Sequence, residues 1–180
     1  MNFLPDALDH YINTHSEKEP ELLSQLDRET NQKILQPRML SGHYQGRLLS
    51  LISKLLSPET ILEIGTYTGY ASICLAEGLP KNGKLHTIDI NEELVDFQTK
   101  YFKASGYAQK IKQYLGDATE IIPNINANFD LWSGKVLEKV KDDDESTKAL
   151  QQYNKMLAED PRVETVMLPV RDGLSLSRVK

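Results

Sequence analysis

The chain has 180 residues, 39% hydrophobic and 26% charged, with 21 Lys and Arg against 26 Asp and Glu for a net charge of −5. That length supports one domain with a buried core, and the acidic balance argues against a nucleic-acid-binding surface, which would show a basic face. The single cysteine, Cys74, excludes an internal disulfide and lies in the apolar run "ASICLA", which points to a buried inert thiol in a reducing compartment.

No apolar run approaches the roughly 18 residues of a membrane span, and "MNFLPDALDHYINTHSEKEPE" has no basic stretch followed by an apolar one. The expectation is therefore a cytoplasmic protein with neither membrane nor nucleic acid as partner. "PDALDHYINTHS" and "PELLSQLDRETNQKI" both read as helices with proline in the first turn. "GHYQGRLLSLISKLLSP" carries apolar residues at helical spacing, with Leu48, Leu49, Ile52 and Leu55 sharing one face and Pro58 ending the run.

From there strands and helices alternate. Ile61 to Ile64 reads as a strand that meets a glycine turn and then a helix to about Gly78. "GKLHTIDIN" is a second strand followed by the helix "EELVDFQTKYFKASG"; "IKQYLGDA" is a third, with "TEIIPNI" a short helical turn. "STKALQQYNKMLAED" reads as a helix, and "VETVMLPV" and "LSLSRVK" as closing strands of an antiparallel hairpin turned at Arg171-Asp172-Gly173. The alternation predicts an α/β fold on a mainly parallel sheet.

The strongest motif is "EIGTYTG", Glu63 to Gly69. Gly65 directly after a strand lets the backbone turn tightly, and the helix that follows offers free N–H groups. Asp89 closes the next strand, the position that places a carboxylate beside a ribose in a Rossmann-type sheet. G-x-x-x-G is looser than the G-x-G-x-x-G of dinucleotide enzymes, which counts against NAD. With no pyrophosphate to cradle, an adenosine-bearing sulfonium ligand fits better.

"ILEIGTYTGYAS" with "LHTIDIN", "LGDATEIIP", "LWSGKV", the terminal "LPVRDGLSLSRVK" and the upstream "PRMLSGHYQGRLL" resembles the S-adenosyl-L-methionine-dependent O-methyltransferases of the catechol and caffeoyl-CoA type. The similarity runs in order from about Leu35 to the C-terminus. It implies a Rossmann-like class I methyltransferase domain over residues 1–180, with N-terminal helices and a lid in 1–57 and the core in 58–180. The family often dimerises, so a homodimer is implied as well. By matching position, Glu63, Gly65, Thr66 and Tyr67 would surround the cofactor's amino-acid end, and Asp89 would hold its ribose. Asp117 and Ala118 would flank the adenine, while Met39 and Ser41 would reach it from the lid. The family commonly has Ser where this chain has Ala71, and Ser72 is the neighbouring hydroxyl in a position to compensate.

The resemblance also exposes an omission. "NFDLWSGKV" starts like a buried strand and runs after Leu131 straight into Trp132. In the family a strand–helix–strand unit of about 30 residues intervenes there. It carries the ligands of a divalent cation, usually Mg²⁺, and the lysine proposed to deprotonate the acceptor, so neither the metal ligands nor that lysine is nameable in this sequence. The cation would lower the acceptor hydroxyl pKa and orient a vicinal diol before the oxygen attacks the sulfonium methyl in line. Loss of an inner strand and its helix would leave strands unpaired and apolar faces bare, so an incomplete sequence is physically favoured over a real deletion. The expected activity is methylation of a hydroxyl on a small catechol-like or phenolic acceptor, with Trp132 able either to stack on the acceptor ring or to anchor its loop. If the deletion is real, the alternative is a protein that binds the cofactor without catalysis.

Three further features read structurally. "KDDDES", Lys141 to Ser146, lacks the alternating spacing of a calcium loop and suits a solvated turn ahead of a helix. His43, with no partner visible in sequence, reads as a helix-end or surface residue rather than a base. Arg171-Asp172-Gly173 reads as a turn.

Overall fold

The computed structural model describes residues 5–122, 125, 145–168 and 174–179. Contacts divide the chain into two units, Met1–Ala127 and Asn128–Lys180. The first contains three parallel strands, β1 (Thr60–Ile64), β2 (Lys84–Asp89) and β3 (Ile111–Leu115), hydrogen-bonded in the order β1-β2-β3. Ile64 pairs with Ile88 and Asp89 with Leu115, so the carboxyl ends of all three strands finish level. Parallel neighbours need crossover connections. Here these are α4 (Tyr70–Ala76), between β1 and β2, and a 3₁₀ turn (Glu92–Leu94) leading into α5 (Val95–Ser105), between β2 and β3. Asn91 caps the 3₁₀ turn by accepting from the Glu93 N–H at 3.0 Å, and left-handed Gly106 ends α5. After β3 comes the single turn α6 (Ala118–Ile121). This is the α/β crossover scheme read from the alternating pattern, with the third strand ending earlier, at Leu115, and the helical turn after it ending at Ile121.

Ahead of the sheet lie α1 (Asp6–Thr14), α2 (Glu21–Lys33), a 3₁₀ turn (Pro37–Met39) and α3 (Gly42–Leu56). Pro5 and Pro20 sit immediately before α1 and α2 rather than inside their first turns. α3 corrects one expectation. Of the four residues expected to share one face, Leu49 is buried but Leu55 is 76% exposed. The buried positions are Gly46, Leu49, Ser50 and Ser53, set by close approach to α4. A Cβ on Gly46 would stand 2.5 Å from the Tyr70 ring and 2.9 Å from the Cys74 sulfur. Two helices this close need small residues at the contact, and Leu51, Leu55 and Leu56 stay exposed.

Between them lies a charged cluster. Glu77, just past α4, accepts from Arg47 Nη2 at 2.8 Å, Ser50 Oγ at 2.6 Å and Lys54 Nζ at 2.7 Å. The Arg47 and Glu77 side chains are each 12% exposed. Cys74 is fully buried, and burial pushes its thiol up to about 12 against the opposing pull of Arg47. That agrees with an inert thiol.

The second unit contains α7 (Glu145–Glu159), β4 (Val163–Leu168) and β5 (Leu174–Val179). The two strands pair antiparallel, from Val163 opposite Val179 to Leu168 opposite Leu174, as the hairpin reading expected. Its turn at Arg171–Gly173 lies outside the described residues, as do Lys141–Asp144, Leu131 and Trp132. Ser146 falls within the first turn of α7 rather than before it. Among the described residues no helix is long and apolar enough to cross a membrane.

Burial by itself would raise the Glu77 carboxyl, but hydrogen bonds from Arg47, Lys54 and Ser50 outweigh it and lower the group from 4.5 to about 2. A depressed carboxylate stabilises the fold above its unfolded value, and that contribution is lost as pH falls through the folded value. Thermal unfolding followed between pH 5 and pH 2 should therefore show stability declining across this window. Glu77→Gln should start less stable and decline less steeply.

Candidate functional site

β1 ends in the turn Gly65-Thr66-Tyr67-Thr68-Gly69, which delivers the chain to α4. Gly65 extends the ladder by donating its N–H to the Ile88 carbonyl at 2.8 Å. Its φ of 88° is left-handed, and nothing lies within 4 Å of the place a Cβ would occupy. The space beside Gly65 is thus open. Gly69, φ 85°, is pressed against Phe102, whose ring would stand 2.6 Å from a Cβ.

Tyr67 is also left-handed, with φ 47°, although it is not glycine. Such a residue is held there by its contacts. Its N–H donates to Asp89 Oδ2 at 2.6 Å. Its phenol lies 3.1 Å from both the Leu35 and Gln36 carbonyls, tying the turn to the segment before α3. The other Asp89 oxygen, Oδ1, accepts from the Asn91 N–H at 2.9 Å. A carboxylate offers about four lone-pair sites, so Asp89 retains acceptor capacity toward a ligand at the carboxyl end of β2, where open α/β sheets bind ligands. Ile90 beside it is 76% exposed.

Glu63 is held from two sides. Thr87 Oγ1 donates to Glu63 Oε2 at 2.6 Å, and the Ser72 hydroxyl donates to the same oxygen. Thr66 Oγ1 lies 2.6 Å from Thr87 Oγ1, so with Thr87 donating to Glu63, Thr66 donates to Thr87. Ser72 is fully buried, and the structure commits its hydroxyl to Glu63. Asp117 ends up on the surface, its Oδ1 accepting from both the N–H and the hydroxyl of Thr119 at 2.7 Å as the cap of α6. Those hydrogen bonds hold the Asp117 carboxyl below its ordinary value. Ala118 opens that helix.

Met39 and Ser41 come to the glycine turn. With Leu40, Gly65–Thr68, Tyr70 and Ala71 they line a cavity of about 40 Å³, room for about one water. A nucleoside must therefore lie along the open carboxyl end of the strands or displace this strip. A larger cavity of about 440 Å³ lies between α2 and α5, around Arg28, Glu29, Lys33 and Lys100, away from the turn. His43, in the first turn of α3, has its Nε2 2.6 Å from the Glu17 carbonyl.

The structure thus brings Met39, Ser41, Glu63, Gly65, Thr66, Tyr67, Ser72 and Asp89 around one turn and sets Asp117 and Ala118 at the neighbouring strand end. Trp132 lies outside the described residues. Sequence reasoning missed Thr87 and Gln98. Thr87 is a buried hydroxyl between the partly buried His86 and the buried Ile88 on β2, a signal available from the run "LHTID"; Gln98 donates to the Tyr67 carbonyl at 2.6 Å and left no sequence signal. Among the described residues, no group of three or more His, Cys, Asp and Glu side chains is placed to hold a metal ion. The described residues alone do not fit one.

A sequence model described as O-methyltransferase matches residues 13–130 and 124–180. The chain belongs to the O-methyltransferase family. Caffeoyl-CoA O-methyltransferase of Petroselinum crispum is 29% identical over 221 residues, covering 96% of this chain and 90% of the relative. Caffeoyl-CoA O-methyltransferase 2 of Eucalyptus globulus is 30% identical over 221 residues, covering 96% and 88%. Among solved structures, the O-methyltransferase TomG from Streptomyces achromogenes, in complex with SAM, matches with a TM-score of 0.80 at 24% identity, covering 97% of this chain and 96% of that one. The O-methyltransferase from Bacillus cereus in complex with SAH matches at 0.80 with 20% identity, covering 97% of both. At these identities the structural likeness establishes the Rossmann-like methyltransferase fold. Two features bear on the omission at Leu131: the family match falls in two pieces that overlap at residues 124–130, and the 221 aligned residues outnumber the 180 of this O-methyltransferase chain.

Thr87→Val removes a buried hydroxyl that serves Glu63 and Thr66 while keeping its shape. Leaving such groups unpaired costs about 1–3 kcal/mol, and urea denaturation of this variant should show a loss in that range with an unchanged slope.

Proposed function

We propose that this chain binds S-adenosyl-L-methionine at the Gly65–Gly69 turn and transfers its methyl group to a hydroxyl of a small catechol-like or phenolic acceptor. The observation that carries the cofactor reading is the Asp89 carboxylate, with acceptor capacity to spare, beside a glycine turn with open space at Gly65. A carboxylate so placed recognises the two hydroxyls of a ribose. The exposed Ile90 next to it offers an apolar face for a base, and Asp117 and Ala118 stand at the adjoining strand end. Glu63, fixed by Thr87 and Ser72, sets negative charge beside the turn, suited to a cationic amino group. Met39 and Ser41 cover the turn from the N-terminal side.

The cofactor, when bound, supplies a methyl group on a positively charged sulfur, open to in-line attack by an oxygen. The chain's contribution is to hold that group still and aimed, since alignment of two reactants supplies much of the rate. The phenolic acceptor follows from the motifs and from relatives that are caffeoyl-CoA O-methyltransferases. Cation dependence belongs to a protein that carries the family's additional strand–helix–strand unit between Leu131 and Trp132, a homodimer follows from the same resemblance, and the cytoplasm is the expected location.

The second reading, cofactor binding without turnover, is favoured by the abrupt passage from Leu131 to Trp132. Methyl transfer from labelled S-adenosylmethionine to catechol with Mg²⁺, run with and without chelator, separates the two. The enzyme reading expects labelled product that chelator abolishes. Binding of S-adenosylhomocysteine with no product, indifferent to chelator, establishes the second. In either case Asp89→Ala should weaken S-adenosylhomocysteine binding by about tenfold or more.

A further inference from the structure

We infer that Gln98 is a positioning residue for the cofactor turn, an inference that rests on the cofactor reading above. Gln98 lies on α5, 1% exposed, and its Nε2 donates to the Tyr67 carbonyl at 2.6 Å. Its Oε1 accepts from Gln113 Nε2 on β3, and Gln113 Oε1 in turn faces the Thr99 hydroxyl at 3.4 Å. Two amides in series thus run from the third strand through α5 to the turn after the first.

A buried amide is costly unless satisfied, and this one meets its cost at a residue in an unfavourable backbone state. Tyr67 is left-handed without being glycine. Its N–H is held by Asp89 and its phenol by the Leu35 and Gln36 carbonyls. Those contacts fix the ends of the residue but leave the peptide that follows free to rotate. Gln98 grips that peptide by its oxygen. Because the peptide is trans, its N–H, that of Thr68, is turned away from α5, and Thr68 lines the small cavity beside Met39 and Ser41. Gln98 therefore orients a backbone donor and keeps Tyr67 in the state that presents its own N–H to Asp89. The glutamine touches no ligand and acts through the Tyr67–Thr68 peptide.

The test measures the affinity of the full chain for S-adenosylhomocysteine by titration calorimetry, well below the unfolding temperature. Gln98→Met keeps length and burial but cannot donate, and should weaken binding by about tenfold or more. Tyr101→Phe, on the same helix, removes a hydrogen bond to Glu29 at 2.5 Å remote from the turn; it should cost stability yet leave affinity within about twofold. Gln98→Glu should bind more tightly as pH falls, relative to wild type, because only a protonated carboxyl can donate to the Tyr67 carbonyl. If Gln98→Met proves unfolded, Gln98→Asn, which keeps the amide but withdraws it, should show the same weakening. A folded Gln98 variant with wild-type affinity overturns the inference. A wild-type chain that binds no S-adenosylhomocysteine overturns the cofactor reading instead, and this inference with it.

Discussion

One amide hydrogen, that of Tyr67, lies between the turn after β1 and the carboxylate that ends β2, with a donor–acceptor distance of 2.6 Å. It makes the candidate site a single object rather than two adjacent loops. For the N–H to reach Asp89, Tyr67 must take a left-handed backbone, and glycines at 65 and 69, left-handed themselves, supply the reversals on either side. Asp89 in turn is placed by strand register, opposite Leu115 and one residue past the Ile64–Ile88 pair. Local strain at Tyr67 is thus tied to a sheet that cannot slip by one residue without turning every side chain over.

The layers beneath support this arrangement in two ways. α3 and α4 approach closely because Gly46 lets the Tyr70 ring and Cys74 sulfur lie where a side chain would be, and Tyr70 opens the helix that the turn feeds. The Arg47–Glu77 pair, hydrogen-bonded also by Ser50 and Lys54, clamps the same two helices. Glu77 accepts four hydrogen bonds from three side chains, while the buried Arg47 Nε has no partner. The clamp holds α4 in place, and with it the far end of the glycine turn.

Much of this was legible in the residues. Gly65 after an apolar run and Asp89 at the end of the next one carry their roles in their spacing, because strand ends are where a parallel sheet gathers its ligand-facing groups. The same holds for the hairpin of β4 and β5, whose alternation survives without any knowledge of partners. The burial of α3 departs from its apolar periodicity for a specific reason. Helical periodicity ranks positions by apolarity, whereas close packing on α4 selected Gly46, Ser50 and Ser53 and left Leu55 outside. Gln98 and Thr87 were invisible for another reason: their partners lie 31 and 24 residues away in the chain, and a polar residue in an amphipathic helix or strand gives no sign of whether it faces water or a carbonyl.

Among the described residues, the hydrogen bonds that shape the turn at Tyr67 come from Leu35, Gln36, Asp89 and Gln98. We propose that the turn and Asp89 form the seat of an adenosine-bearing cofactor. The most direct test is a crystal structure of the chain grown with S-adenosylhomocysteine. The account predicts the ribose hydroxyls within hydrogen-bonding distance of the Asp89 carboxylate and the amino-acid end against Gly65–Tyr67. Ligand density elsewhere, or a ribose turned away from Asp89, would contradict it.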